Sequence, residues 1–388
     1  GAHPSGGPPF DMKILAIGPT PPPYHGVSVF LRQLAETPLP PGDELEILDT
    51  ADRRDASNLG RWDPVNLQLG FAHLGELAGR CLRFRPDIVY MPISQNVPAF
   101  LRDALFITQA RLLGAQVVVH LHGGYFRQLY ENSSAPFRET VRCALKSVSG
   151  AIVLSPEFLP VFDGLVHPDR VFVVENGCPD SGAWEERSKR QEPPGDGGTI
   201  LFMSTLTRTK GIVKLVEAMK LLRVQRPNVR LRVAGRWSED DARLETDAVI
   251  ARENLASHVE FLGNVDGDVK RNFLASGDLF CLPTFYPYEG QPLVLLEAMA
   301  AGLPVVSTHH AAIPSTTPEG EVGWLLRPDA SAEELARTLD AALSSSDLQR
   351  FSRNARERYC QHYTIKVCQQ RLWEVFEAAL SESGALRG

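Results

Sequence analysis

"YPYEGQPLVLLEAMAAGLPVVST" fills residues 286–308, directly after "DLFCLPT" at 278–284. The earlier stretch is a short apolar run that suits a buried parallel strand. The loop "FYPYEGQ" follows it, and Pro292 stands where a helix would begin, a position at which a missing N–H is no loss. "PLVLLEAMAAG" then reads as a helix, and "LPVVST" as the next strand. Strand, loop, helix, strand within thirty or so residues is the repeating unit of a parallel α/β sheet. In such sheets ligands gather outside the carboxyl ends of the strands. Glu289 falls in that loop, just before the helix, and Glu297 falls in its second turn, roughly one pitch deeper at about 1.5 Å per residue. The two carboxylates are therefore placed to act at different ends of one elongated ligand. The first N–H groups of the helix add a site attractive to phosphate or sugar oxygens.

The same unit recurs along the chain. "KILAIG" (13–18), "DIVYMPI" (87–93), "AQVVVHLHG" (115–123), "GAIVLS" (150–155) and "RVFVVENG" (170–177) form one series of strand candidates with helical segments between most of them. "TILFMS" (199–204), "VRLRVAG" (229–235), "HVEFLG" (258–263), "DLFCLPT", "LPVVST" and "GWLL" (323–326) form a second. Between them "SGAWEERSKRQEPPGDGG" (181–198) is polar and ends in prolines and glycines, the composition of a linker. The expected architecture is α/β, with two Rossmann-like doubly wound domains facing a cleft: 12–180, then a linker at 181–198, then 199–365. "IKVCQQRLWEVFEAAL" has Val367, Leu372, Val375, Phe376 and Leu380 at near-helical spacing, with Trp373 at the edge of the stripe. Residues 1–11 lack periodicity and read as an appended, disordered segment, with the native start at "MKILAIG" and no signal peptide.

Composition narrows the function. The chain has 388 residues, 43% hydrophobic and 22% charged, with a net charge of −7. That is a globular composition with no bulk attraction to nucleic acid. Cysteines at 81, 143, 178, 281, 360 and 368 show no metal-ligand spacing and read as reduced thiols of a cytoplasmic protein. No apolar run approaches the roughly 18 residues of a membrane span. A nicotinamide dehydrogenase is disfavoured because no G-x-G-x-x-G follows any strand, and the first strand opens instead into "GPTPPPYHG".

The Glu, seven residues, Glu pattern in "EGQPLVLLEAMAAGLPVV" resembles the signature of retaining glycosyltransferases of family 4, which have the GT-B fold. "GPTPPPYHG", "HLHGG", "VENG", "LTRTKG", "VAG" and "FLGNV" resemble further motifs of that family, so the likeness extends over nearly the whole chain. The first of them is most similar to the branch that assembles bacterial polysaccharide and lipopolysaccharide. The resemblance implies that Glu297 binds the ribose hydroxyls of the donor nucleotide and that Glu289 sits by the donor sugar. Backbone groups of Gly290, Gln291, Pro292 and Leu293 would line the sugar and phosphate. Lys210 matches the lysine that neutralises the diphosphate. The Gly-Arg pair common in the family is replaced here by Ser204-Thr205, and Arg208 is the candidate substitute. His122 matches a histidine near the donor sugar, and Gly26 a glycine that lets the first loop approach the donor. The resemblance also implies that the C-terminal segment, 366–388, returns to the first domain.

The implied reaction moves a sugar from a UDP- or GDP-sugar donor to a hydroxyl of a glycan or lipid-linked acceptor, with no cofactor and no obligatory metal. Decoration of a small-molecule natural product, a sugar-nucleotide epimerase or phosphorylase on a related fold, and a silent sugar-nucleotide binder are the competing readings. Asp266 and Asp268 make an Asp-x-Asp of the kind that holds a metal, but between a strand and a helix they read as caps. "SEDD" (238–241) reads likewise. His120, one strand alternation from His122, reads as a core histidine. Arg138, Arg142 and Lys146 fall on one helical stripe. It reads as a solvated face or as a peripheral contact with anionic lipid at the inner membrane surface.

Overall fold

The structure is a computed structural model that describes residues 11–22, 26–51, 53, 64–189 and 195–385. The chain divides into two compact units, Gly1–Glu175 with Cys368–Gly388, and Asn176–Val367. Among the described residues each unit holds one six-stranded sheet, and every strand pairing in both is parallel.

The first sheet contains β1 (Lys13–Gly18), β2 (Glu44–Asp49), β3 (Ile88–Pro92), β4 (Gln116–Leu121), β5 (Gly150–Val153) and β6 (Val171–Val173), in the spatial order β2-β1-β3-β4-β5-β6. Its central strands are buried along almost their whole length, which is why they read as continuous apolar runs. The sequence reading missed β2. "ELEILD" carries three acids and lies at the sheet edge, partly exposed, where no continuous apolar run is required.

Alternate residues of these strands face opposite sides of the sheet. Ile14, Ala16, Ile88, Tyr90, Val118 and Ile152 pack with Phe30 and Leu34 of the helix Gly26–Glu36 and with Cys368, Leu372, Trp373, Val375, Phe376 and Ala379. The C-terminal helix thus completes the core of the first unit. Trp373 belongs to that core rather than to its edge: it is 5% exposed, and its Nε1 donates to Asp43 at 2.6 Å. Burying each of the larger side chains contributes about 1.5–3 kcal/mol. Three further helices, Pro64–Phe84, Val97–Leu112 and Ala135–Lys146, pack side by side as a layer.

The second sheet contains β7 (Gly197–Met203), β8 (Asn228–Ala234), β9 (Val259–Phe261), β10 (Leu279–Cys281), β11 (Val305–Thr308) and β12 (Gly323–Leu326), ordered β12-β11-β10-β7-β8-β9. All six lie within the second series of strand candidates or within two residues of it. The chain runs from β7 outward to β9, then returns to lay β10 on the other side of β7.

The boundaries differ from the expected ones. The chain crosses between units after Glu175 and after Val367, and 181–189 is no free linker. Ala183–Arg187 is a short helix with Ala183 fully buried in the second core. Arg187 donates to the carbonyls of Gly277, Asp278 and Gly302 and to Ser352 Oγ. A polar sequence is held here because its guanidinium satisfies carbonyls at a helix end and a turn, a long-range role that local composition does not reveal. Residues 190–194 of the expected linker and almost all of 1–11 lie outside the described residues.

Candidate active site

The order of the second sheet reverses between β7 and β10, and the loops leaving their carboxyl ends bring the chemistry together. After β7 the chain turns at Arg208–Lys210, where the Thr207 side chain accepts from Lys210 N at 3.2 Å. Gly211 follows at φ +90° and caps the helix Ile212–Gln225. A Cβ there would lie 2.4 Å from the carbonyl oxygen of Pro283, so only glycine lets the two loops meet. They are joined by Phe285 N donating to Thr209 O at 2.8 Å, and Thr284 Oγ1 lies 3.3 Å from the same carbonyl.

Lys210 and Glu289 meet at this junction. Lys210 Nζ donates to both carboxylate oxygens, at 2.9 and 2.7 Å. Thr284 Oγ1 donates to Glu289 Oε2 at 3.0 Å, and the ammonium lies 4.7 Å from the centre of the Tyr286 ring. Glu289 is only 6% exposed, so loss of this partner would leave a buried carboxylate unpaired. Burial, and then the Glu289 charge, hold the Tyr286 phenol above its ordinary pKa and keep it neutral.

Beyond Glu289 the loop is fixed by buried polar contacts. Gln291 Oε1 accepts from Asn176 N at 2.7 Å, Gln291 Nε2 donates to Thr316 Oγ1 at 3.0 Å, and Gly290 O accepts from Ala312 N at 3.2 Å. The Gln291 side chain therefore anchors the loop, while the backbone N–H groups of Gly290 and Gln291 donate to no acceptor among the described residues. Pro292 caps the helix Leu293–Ala300, whose first N–H groups have no intrahelical partner. One turn and more into that helix Glu297 pairs with Lys270 of the helix Gly267–Ala275.

The other candidates of the second unit make contacts outside this cluster. Arg208 is bound outward: its N–H donates to Glu239 at 2.9 Å and its guanidinium pairs with Glu245, both groups being well exposed. Asp266 caps its helix through Gly267 N at 2.8 Å, Asp268 pairs with Arg271, and Glu239 is the cap residue of the helix Asp240–Arg252. In the first unit His122 follows β4, its ring 3.9 Å from that of His120 and 4.9 Å from that of Phe30. His120 is fully buried and its Nδ1 is 2.7 Å from the Tyr90 hydroxyl. Burial, and then the neighbouring His122, push its pKa well below the usual imidazole value. Gly26 opens its helix with nothing within 4 Å of a built Cβ, so no described neighbour requires a glycine there.

Sequence reasoning missed Lys270, Thr284, Tyr286 and His310, whose Nε2 lies 2.7 Å from Tyr286 O. Thr284 and Tyr286 sit in the loop already singled out, and their place after β10 was a usable signal. Lys270 lay inside a helix with no motif of its own.

Residues 184–358 match the sequence model of the family described as "Glycosyl transferases group 1". The phosphatidyl-myo-inositol mannosyltransferase of Mycobacterium tuberculosis is 32% identical over 216 residues, 55% of this chain and 55% of that protein. The amylovoran biosynthesis glycosyltransferase AmsK of Erwinia amylovora is 34% identical over 144 residues, 36% of this chain and 34% of that protein. The chain thus spans about half the length, or less, of these curated relatives. Among solved structures, Anabaena Alr3699/HepE in complex with UDP superposes with a TM-score of 0.71 at 19% identity, covering 95% of this chain and 100% of that one. The fold is that of the GT-B glycosyltransferases.

Proposed function

We propose that the chain, whose residues 184–358 match the group 1 glycosyl transferase family model, moves a sugar from a nucleoside-diphosphate donor to an acceptor hydroxyl, with retention at the anomeric carbon, in assembly of a bacterial polysaccharide or glycolipid. The observation that carries this reading is the Lys210–Glu289 pair at the β7/β10 switch point, beside the N-terminus of the helix Leu293–Ala300. A cation, a buried carboxylate and unsatisfied N–H groups within one loop cluster fit a diphosphate joined to a sugar. The names of the relatives support a bacterial glycan or glycolipid product, and the UDP of the Anabaena complex supports a uridine donor before a guanosine one.

In this reading Glu297 takes the ribose hydroxyls, with Lys270 fixing its carboxylate. Lys210 exchanges part of its contact with Glu289 for the diphosphate and stabilises the charge that grows on the leaving phosphate. Glu289 turns to the sugar hydroxyls. The bond between the anomeric carbon and the phosphate oxygen breaks. The acceptor oxygen bonds to that carbon on the same face, and its proton passes to the departing phosphate oxygen. Residues of the chain supply charge and position to this step, so turnover is expected to persist in EDTA. In this reading the acceptor is a glycan or lipid-linked hydroxyl bound by the first unit.

A panel of UDP-, GDP- and ADP-sugars with candidate lipid-linked acceptors, read by mass spectrometry, tests the reading. Transfer of a sugar with release of the nucleoside diphosphate is the expected result. A rearranged sugar with no acceptor product would point to an epimerase, and nucleotide binding without turnover to a silent binder. Loss of turnover in EDTA, restored by manganese, would overturn the assignment of charge stabilisation to Lys210 and the helix end.

A further inference from the structure

The geometry points to His310 as a positioning residue for the Lys210–Glu289 pair, an assignment that rests on the proposed transfer reaction and adds to it the group that aims its charges. The segment after β11 lies along the signature loop and meets it contact by contact, in chain order. Ser307 Oγ donates to Leu282 O at 2.6 Å, and Thr308 Oγ1 to Thr284 O at 2.6 Å. His310 Nε2 lies 2.7 Å from Tyr286 O. Ala312 N donates to Gly290 O at 3.2 Å, and Thr316 Oγ1 accepts from Gln291 Nε2 at 3.0 Å. Five residues of one segment thus hold five of the other, from the end of β10 to the start of the helix Leu293–Ala300. Ala311 stands between two of these contacts at φ +53°, in the left-handed region that a residue with a Cβ seldom enters. Such a backbone persists where its surroundings hold it, and here it sets the His310 ring and the Ala312 N–H against the same loop.

The His310 contact differs from the other four. A carbonyl oxygen has no proton to give, so Nε2 carries the proton and the ring is the donor. Its acceptor, Tyr286 O, also takes the Glu289 N–H at 3.0 Å, closing the turn that carries the carboxylate. The Tyr286 ring in turn meets the Lys210 ammonium, 4.7 Å from its centre. One imidazole therefore holds the residue that touches both members of the pair. Ser307, Thr308 and Thr316 are buried, so losing one of their hydroxyls would leave a buried group unpaired and lower stability. His310 and Tyr286 are only half-buried, so water can satisfy the carbonyl once the imidazole is gone. What is lost is then the aim of the turn rather than the fold, and catalysis is sensitive to small errors of aim.

His310→Ala and His310→Gln test the assignment, the glutamine keeping an N–H donor. In His310→Ala, kcat for sugar transfer should fall about tenfold with the donor KM little changed, because the ribose contact proposed for Glu297 does not pass through this turn. The melting temperature should stay at that of the parent, and His310→Gln should recover most of the lost turnover. Amide hydrogen exchange at Glu289, followed by NMR, gives a second readout that needs no substrate. It should quicken about tenfold in His310→Ala and return toward the parent rate in His310→Gln. Unchanged kcat in His310→Ala overturns the assignment. So does a loss of turnover that tracks a lowered melting temperature, or one that is as deep in His310→Gln. If the parent transfers no sugar, the proposed reaction fails by itself, and the exchange rates still decide whether His310 holds the turn: equal rates in the parent and His310→Ala overturn it.

Discussion

At the level of single residues the candidate site of the second unit holds two glutamates, each paired with a lysine. If Glu297 binds the ribose, Glu297→Ala should lower nucleotide affinity tenfold or more, at about 1.5–3 kcal/mol per charge-assisted hydrogen bond. Calorimetry with a nucleotide and its 2′,3′-dideoxy form isolates that term, and a variant that still discriminates the two like the parent rules out the ribose role. Lys210→Met should cost about 3 kcal/mol of stability, because Glu289 is left buried without its partner. Adding Glu289→Gln should return most of that stability in urea melts but no turnover; recovery of turnover would make the pair structural only. His120 gives a pH dependence. Its folded pKa lies well below the 6.5 of an ordinary imidazole, so below that value the unfolded chain binds the extra proton. Stability is full above pH 6.5 and falls as pH drops toward the folded pKa. His120→Gln should flatten that fall between pH 7.5 and about 5.5 in denaturant titrations; an unchanged slope would mean that other groups cause it. The positions of Glu289 and Glu297 were legible because Pro292 marks where the loop ends and the helix begins, whereas Lys210 was marked only by the family resemblance. Lys270 and the outward pairing of Arg208 were not, because both depend on a helix distant in sequence.

Elements show where local pattern suffices. Among the described residues eleven of the twelve strands announce themselves as apolar runs because both faces of each sheet are covered, and only β2, acidic and at an edge, does not. The helix Ala183–Arg187 escaped notice for the opposite reason, its sequence being polar while its contacts are long-range. Loop approach can be tested by two glycines. Gly211→Ala puts a Cβ at φ +90° against the Pro283 carbonyl and should cost about 2 kcal/mol or more, with the β7 and β10 loops driven apart. Gly26→Ala meets nothing within 4 Å and should leave the melting temperature unchanged. If the loop ahead of it approaches a donor, the same variant should still lower turnover. A stable Gly211→Ala protein with full activity would show that the junction tolerates what its geometry forbids.

At the scale of the whole molecule the first unit is discontinuous. It is made of Gly1–Glu175 and Cys368–Gly388, with the second unit inserted as one uninterrupted stretch. Removing residues from Cys368 onward strips Leu372, Trp373 and Phe376 from the face of Ile14, Phe30 and Tyr90. Limited proteolysis of such a truncation should digest the first unit and spare a fragment spanning Asn176–Val367. Equal resistance of both would show that the C-terminal helix is dispensable. The same connectivity sets a schedule for biosynthesis. At roughly 5–20 residues per second a ribosome takes on the order of ten to forty seconds to pass from residue 176 to residue 367. The part of the protein that is translated first therefore waits, with one side of its sheet uncovered, while the part translated after it has all it needs to fold. Chaperone demand on the nascent chain should fall on the residues of the first unit that precede Asn176, and it should end only when the helix Ile365–Ala385 has left the exit tunnel.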